Sequence, residues 1–134
     1  MATINELMQI FDADFAKNHQ GREYGLEEAK QKFKKYIDSN KPYYVSHNII
    51  VIWRDQGQKI VEFHTINGGD SQDLIMGLTD FLNVMSKKFN HAITYYDNPA
   101  INELAKHSPY PTHVKKVDRG VDRTYAMVFD LGAK

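Results

Sequence analysis

The 134-residue chain contains no cysteine. Disulfides, thiolate metal sites and cysteine nucleophiles are excluded together. The compartment is not fixed by this, since a reducing cytosol permits cysteine without demanding its absence. Net charge is lacking as well, with 17 Lys+Arg against 17 Asp+Glu. A neutral balance gives no general reason to expect nucleic-acid or anionic-membrane binding, so no nucleic-acid partner is expected. The longest apolar run lies at Ile49–Trp53, far short of the ~20 residues that cross a bilayer, and no membrane span is expected. The opening residues, MATINE, carry no basic stretch followed by an apolar run, so no secretory signal is expected. A soluble intracellular protein is the resulting expectation. The six histidines show no His-x-x-x-His or Glu-x-x-His spacing, which argues against a helical metal site. Gly-x-Ser-x-Gly and Walker sequences are missing too, which removes two common routes to hydrolase and nucleotide chemistry.

What the chain does have is clear hydrophobic patterning. Thr3 and Glu6 have capping-box spacing, and Ile4, Leu7, Met8, Phe11 and Phe15 follow at helical intervals. A first helix is predicted over 4–17, then a polar loop over 18–25. Leu26, Ala29, Phe33, Tyr36 and Ile37 mark one face of a second helix over 26–39. Lys30, Lys32, Lys34 and Lys35 on its other face read as a solvated surface rather than an anion site. Asn40-Lys41-Pro42 ends this helix. Strands follow at 43–46, 49–54 and 59–66, the last two flanking a glycine turn at Asp55-Gln56-Gly57-Gln58. The 49–53 segment is apolar on both faces, which places it inside the sheet.

A third helix is predicted over 72–89, with Leu74, Ile75, Leu78, Phe81, Leu82, Met85 and Phe89 inward. Then come a short strand at 92–96 and a short helix starting at Asp97-Asn98-Pro99. A closing hairpin, 112–118 with 123–131, turns around Arg119-Gly120. Basic residues on this hairpin alternate with Asp118 and Asp122, as on a solvated surface. The order predicts one mixed α/β domain over 1–134, layered helix on sheet on helix, with a mostly antiparallel sheet. Its one strand–helix–strand unit, 59–96, should make a parallel crossover.

This order resembles the GCN5-related N-acetyltransferase (GNAT) fold over nearly the whole chain. "KIVEFHTI" would be the family's fourth strand, "SQDLIMGLTDFLNVMSKKF" the cofactor-side helix, and "AITYYDNPAINELAKH" the next strand and helix. The resemblance implies an acyl-CoA site at the corner between that strand and helix. Thr65, Asn67, Gly68 and Gly69 would hold acetyl-CoA, with Asn98 at the start of the next helix. It implies an amine acceptor, small molecule or protein. The corner departs from the family's Arg/Gln-x-x-Gly-x-Gly/Ala pattern, because its glycines are adjacent and no Arg or Gln leads. Asp70 or Ser71 is also positioned to cap the N–H groups a pyrophosphate would use, and Asp73 adds charge in the same turn. The corner therefore reads as a structural turn or as a phosphate seat.

Acyl transfer to an amine needs a base, an oxyanion donor and an acid for the leaving thiolate. Strand alternation puts Ile60, Glu62, His64 and Ile66 on one face. Glu62 is the first candidate base and His64 the second; a pair of ion-paired groups on a wet sheet face is the simpler reading. Where the family supplies an acid tyrosine, counting from Asn98 reaches Ala105 or Leu104, so Tyr96, with Tyr95 or Tyr110, would have to substitute. Two functions follow. One is an acetyl-CoA-dependent N-acyltransferase. The other is a catalytically inactive GNAT-like binding or structural protein, such as the internal virion components of bacteriophages, cytoplasmic or virion-associated accordingly.

Overall fold

The computed structural model describes residues 4–18, 26–39, 41–96, 99–117 and 124–132. The capping box predicted at Thr3, the Asp97-Asn98 helix start and the Arg119-Gly120 turn lie outside them. Helices α1 (Ile4–Asn18) and α2 (Leu26–Asp38) come first, followed by strands β1 (Tyr43–Ser46), β2 (Ile49–Gly57) and β3 (Ile60–Asn67). Helix α3 (Ser71–Met85) leads to β4 (His91–Tyr96). A 3-10 turn (Pro99–Glu103) runs into α4 (Leu104–His107), and β5 (Thr112–Lys116) and β6 (Tyr125–Asp130) close the chain. The six strands form one mixed sheet in the order β1-β2-β3-β4-β6-β5. Only β3 and β4 pair in parallel, joined by the α3 crossover.

Alternation along β2 and β3 sends apolar side chains to both sides, and helices cover each. Ile49, Val51, Val61 and Phe63 pack with Leu78, Phe81, Leu82 and Met85 of α3 into the larger core. Ile50 and Ile66 pack with Leu7 of α1 and Phe33 of α2 into the smaller one. Phe11 stacks on Phe33 at 4.9 Å between ring centroids, which ties α1 to α2. Gly77 lets α3 lie against the sheet. A Cβ there would stand 2.6 Å from Ile49 Cγ1 and 2.8 Å from the Ser46 carbonyl oxygen.

One of the two hairpin turns differs from expectation. The second hairpin turns at Gln58 (φ 57°) and Lys59 (φ 60°), while Gly57 (φ 87°) sits in a bulge at the end of a longer β2. The first hairpin turns at His47 (φ 48°) and Asn48 (φ 62°). Two-residue turns with both φ values positive match the right-handed twist of the strands they join. That gain is large enough to hold four non-glycine residues in the left-handed region. Helix α3 also stops at Met85 rather than 89, although Phe89 remains buried in the core.

Candidate functional site

On the α2 side of the sheet lies a cavity of about 420 Å³. Tyr36 of α2, Ile52 and Arg54 of β2, Glu62 and His64 of β3, and Tyr95 of β4 line it, with Trp53 and Phe63. The register explains the grouping, since Ile52 stands opposite His64 and Arg54 opposite Glu62. The predicted shared face of Glu62 and His64 is therefore observed, and it is a cavity wall. Arg54 Nη2 donates to Glu62 Oε1 at 3.2 Å, and Gln56 Nε2 donates to the same oxygen. Oε2 has no protein donor among the described residues. Tyr36 donates its hydroxyl to the Pro42 carbonyl at 2.6 Å. Burial raises its pKa above the ordinary 10.0, with a hydrogen bond to the Trp53 backbone pulling the other way.

Strands β3 and β4 pair over only three positions, Ile60↔His91, Val61↔Ala92 and Glu62↔Ile93. Beyond them β3 continues to Asn67 and β4 to Tyr96 without pairing to each other. The hydrogen bonds at the two ends of β3 show which way its backbone groups point. Gly68 N–H donates to the Asn48 carbonyl on the β2 side, and His91 N–H donates to the Lys59 carbonyl on the β4 side. Even-numbered residues of β3 thus address β2 and odd-numbered ones address β4. The N–H and C=O of Thr65 and the C=O of Phe63 consequently face the gap between β3 and β4, with no β4 partner.

The corner after β3 is closed by comparison. Asn67 N–H donates to Oδ1 of the buried Asp14 (3.0 Å), and Gly69 N–H to Asn67 Oδ1 (3.0 Å). Asp70 and Asp73 form a reciprocal capping box: Asp73 N–H donates to Asp70 Oδ1 (2.8 Å) and Asp70 N–H to Asp73 Oδ2 (3.3 Å). Together with Gly68 N–H, five consecutive or near-consecutive donors are taken. Only Ser71 and Gln72 keep N–H groups without a partner among the described residues. Each carboxylate would repel a nearby phosphate by ~1 kcal/mol in a solvent-facing site. The glycines have packing reasons. A Cβ on Gly68 would meet Ile10 Cα and its carbonyl oxygen at 2.9 Å, and one on Gly69 would meet Asp73 Cβ at 2.7 Å. As folded, five of the corner's N–H groups are unavailable to a pyrophosphate, and two carboxylates stand beside the remaining two.

The remaining predicted residues fall in different places. Thr65 borders the gap, whereas Asn67, Gly68 and Gly69 form the closed corner. Asn98 lies outside the described residues. Tyr96 belongs to the α3-side core, on the other sheet face from Tyr95, Glu62 and His64. It stacks on Tyr125 at 5.6 Å and donates its hydroxyl to Asn102 Oδ1. Burial, then the neighbouring Tyr125, raises its pKa above 10.0. Arg54 and Tyr36 were not singled out from sequence. The hairpin register would have found Arg54; Tyr36 needed the packing of α2 on the sheet.

Among the described residues no group of three His, Asp or Glu side chains is placed to hold a metal ion. No described helix is long and apolar enough to cross a membrane. The fold and site define a mixed α/β domain with a split parallel strand pair and an adjoining polar–aromatic cavity. Comparison with protein-family models, curated proteins and solved structures finds no match to this chain.

Proposed function

We propose that the chain is a GNAT-like domain without acyl-CoA chemistry, serving as a binding or structural protein of the kind found inside bacteriophage virions. The order of elements and the single parallel pair flanked by antiparallel strands support the architectural part. The observation that carries the functional part is the corner, where five N–H groups are already taken and the carboxylates of Asp70 and Asp73 flank the start of α3. Thermal unfolding with and without acetyl-CoA tests it. A ligand at one hundred times its dissociation constant stabilises by about 2.7 kcal/mol. The expected result is no shift at millimolar acetyl-CoA, and a clear rise in Tm overturns the reading.

A second reading, an N-acyltransferase moving an acetyl group from acetyl-CoA to a small-molecule or protein amine, is favoured by the gap and its cavity. There Glu62 Oε2 would accept the ammonium proton, with His64 as the other base, and a gap-facing N–H such as that of Thr65 would donate to the oxyanion. If acetyl-CoA binds, Glu62→Gln is expected to lower turnover with little change in cofactor affinity. An unchanged rate removes Glu62 as base.

A further inference from the structure

A strand edge without a partner presents N–H and C=O groups at strand spacing and is a ready template for pairing with another chain. The Thr65 amide group and the Phe63 carbonyl form such an edge, and it faces β4 across a gap that no described backbone group fills. The two strands part after Glu62↔Ile93, and no described loop donates into the space between them. The occupant has to bring alternating donors and acceptors at strand spacing. With five of the corner's donors taken and two carboxylates beside it, a phosphate is disfavoured there. An extended polypeptide meets both conditions, since its main chain supplies one N–H and one C=O to each side at every second residue.

We infer that the gap between β3 and β4 receives an extended segment of a partner protein, which adds to the sheet along the Phe63–Thr65 edge. The inference rests on the binding-protein reading above. Recognition is through the main chain and therefore tolerant of sequence. Side chains on the α2 side of the added strand enter the cavity between Tyr36, Ile52, His64 and Tyr95. At about 420 Å³ that space exceeds a single large side chain. Its walls mix apolar and aromatic surface (Ile52, Trp53, Phe63) with the polar groups of Arg54, Glu62, His64 and the two tyrosines, so side chains with an apolar body and a polar tip fit best.

The probe is a capped heptapeptide mixture with Val and Thr at alternate positions and the rest randomised. Its control is the same mixture N-methylated at the central residues, which removes the donors without removing the side chains. Added at millimolar concentration to the full chain, the first mixture is expected to shift the Thr65 amide resonance and slow its hydrogen exchange about tenfold or more. The control should do neither. Thr65→Pro deletes an N–H that β2 does not use, and it should abolish the response. Equal effects from both mixtures, or no effect from either on the Thr65 amide, overturn the inference, and the control decides this even if the proline variant does not fold. Acetyl-CoA is titrated in parallel. Binding of the cofactor removes the reading on which the inference rests, whereas silence from both cofactor and peptides removes the inference alone.

Discussion

The two halves of one strand, β3, end in opposite ways. At its start, through Glu62, its outer backbone groups pair with β4; towards its end, at Thr65, they face an open gap. Two residues further, Asn67 points the same way, and its N–H is stopped by Asp14 reaching across from α1. From there to Asp73 the backbone is closed by its own side chains. A glycine-containing strand–helix corner attracts anions only when its N–H groups are unclaimed. Here the glycines are present and five of the donors are claimed, so much of the hydrogen-bonding capacity that remains sits before the corner. The ligand we propose for this site follows from that shift, from phosphate towards main chain.

Changes at either place should bear the contrast out or break it. Gly68→Ala has the largest expected effect, because the added methyl meets backbone atoms of Ile10 that cannot turn aside. It should destabilise by about 2 kcal/mol, read as a lower urea midpoint at unchanged slope. A neutral result would mean α1 does not press on the corner. Next is the exchange contrast between two amides on the same side of one strand. Thr65 N–H should exchange about tenfold or more faster than Asn67 N–H, which Asp14 holds. Equal protection would place a hidden partner in the gap.

Asp70→Ala removes the cap of α3 and should cost about 1 kcal/mol. It also frees the Asp73 N–H, and a gain in affinity for inorganic phosphate would show that capping alone keeps anions out. The smallest effect is expected from Glu62→Gln. The Arg54 partner is 69% exposed, and surface pairs of this kind contribute roughly 0–1 kcal/mol. A loss well above that would make Glu62 a structural residue rather than part of the cavity's chemistry.

Much of this was legible beforehand, and for local reasons. Period-two alternation over 59–66 put Glu62 and His64 on one face. Helical periodicity found α1, α2 and α3, whose observed bounds differ by a few residues at most except where α3 ends early. Asp70 or Ser71 was the expected cap of α3, and Asp70 is the one that caps, with Asp73 closing the box in return. One turn was less readable. His47-Asn48 falls between the predicted strands, whereas Gln58-Lys59 carries no glycine and Gly57 drew the second turn too early in the sequence. Tyr36, Arg54 and Tyr95 meet only after α2 docks and three strands pair, so no spacing along the chain announces the cavity.

The sequence by itself determined the elements, their inward faces and the closed N-terminus of α3, because these depend on periodicity and on hydrogen bonds between residues a few positions apart. Tertiary structure alone decided that Asp14 seals Asn67 from 53 positions away, that β3 and β4 part after three pairs, and that the backbone of Thr65 is left facing the space between them. Which donors remain free is settled by contacts remote in sequence, and no local pattern carries that information.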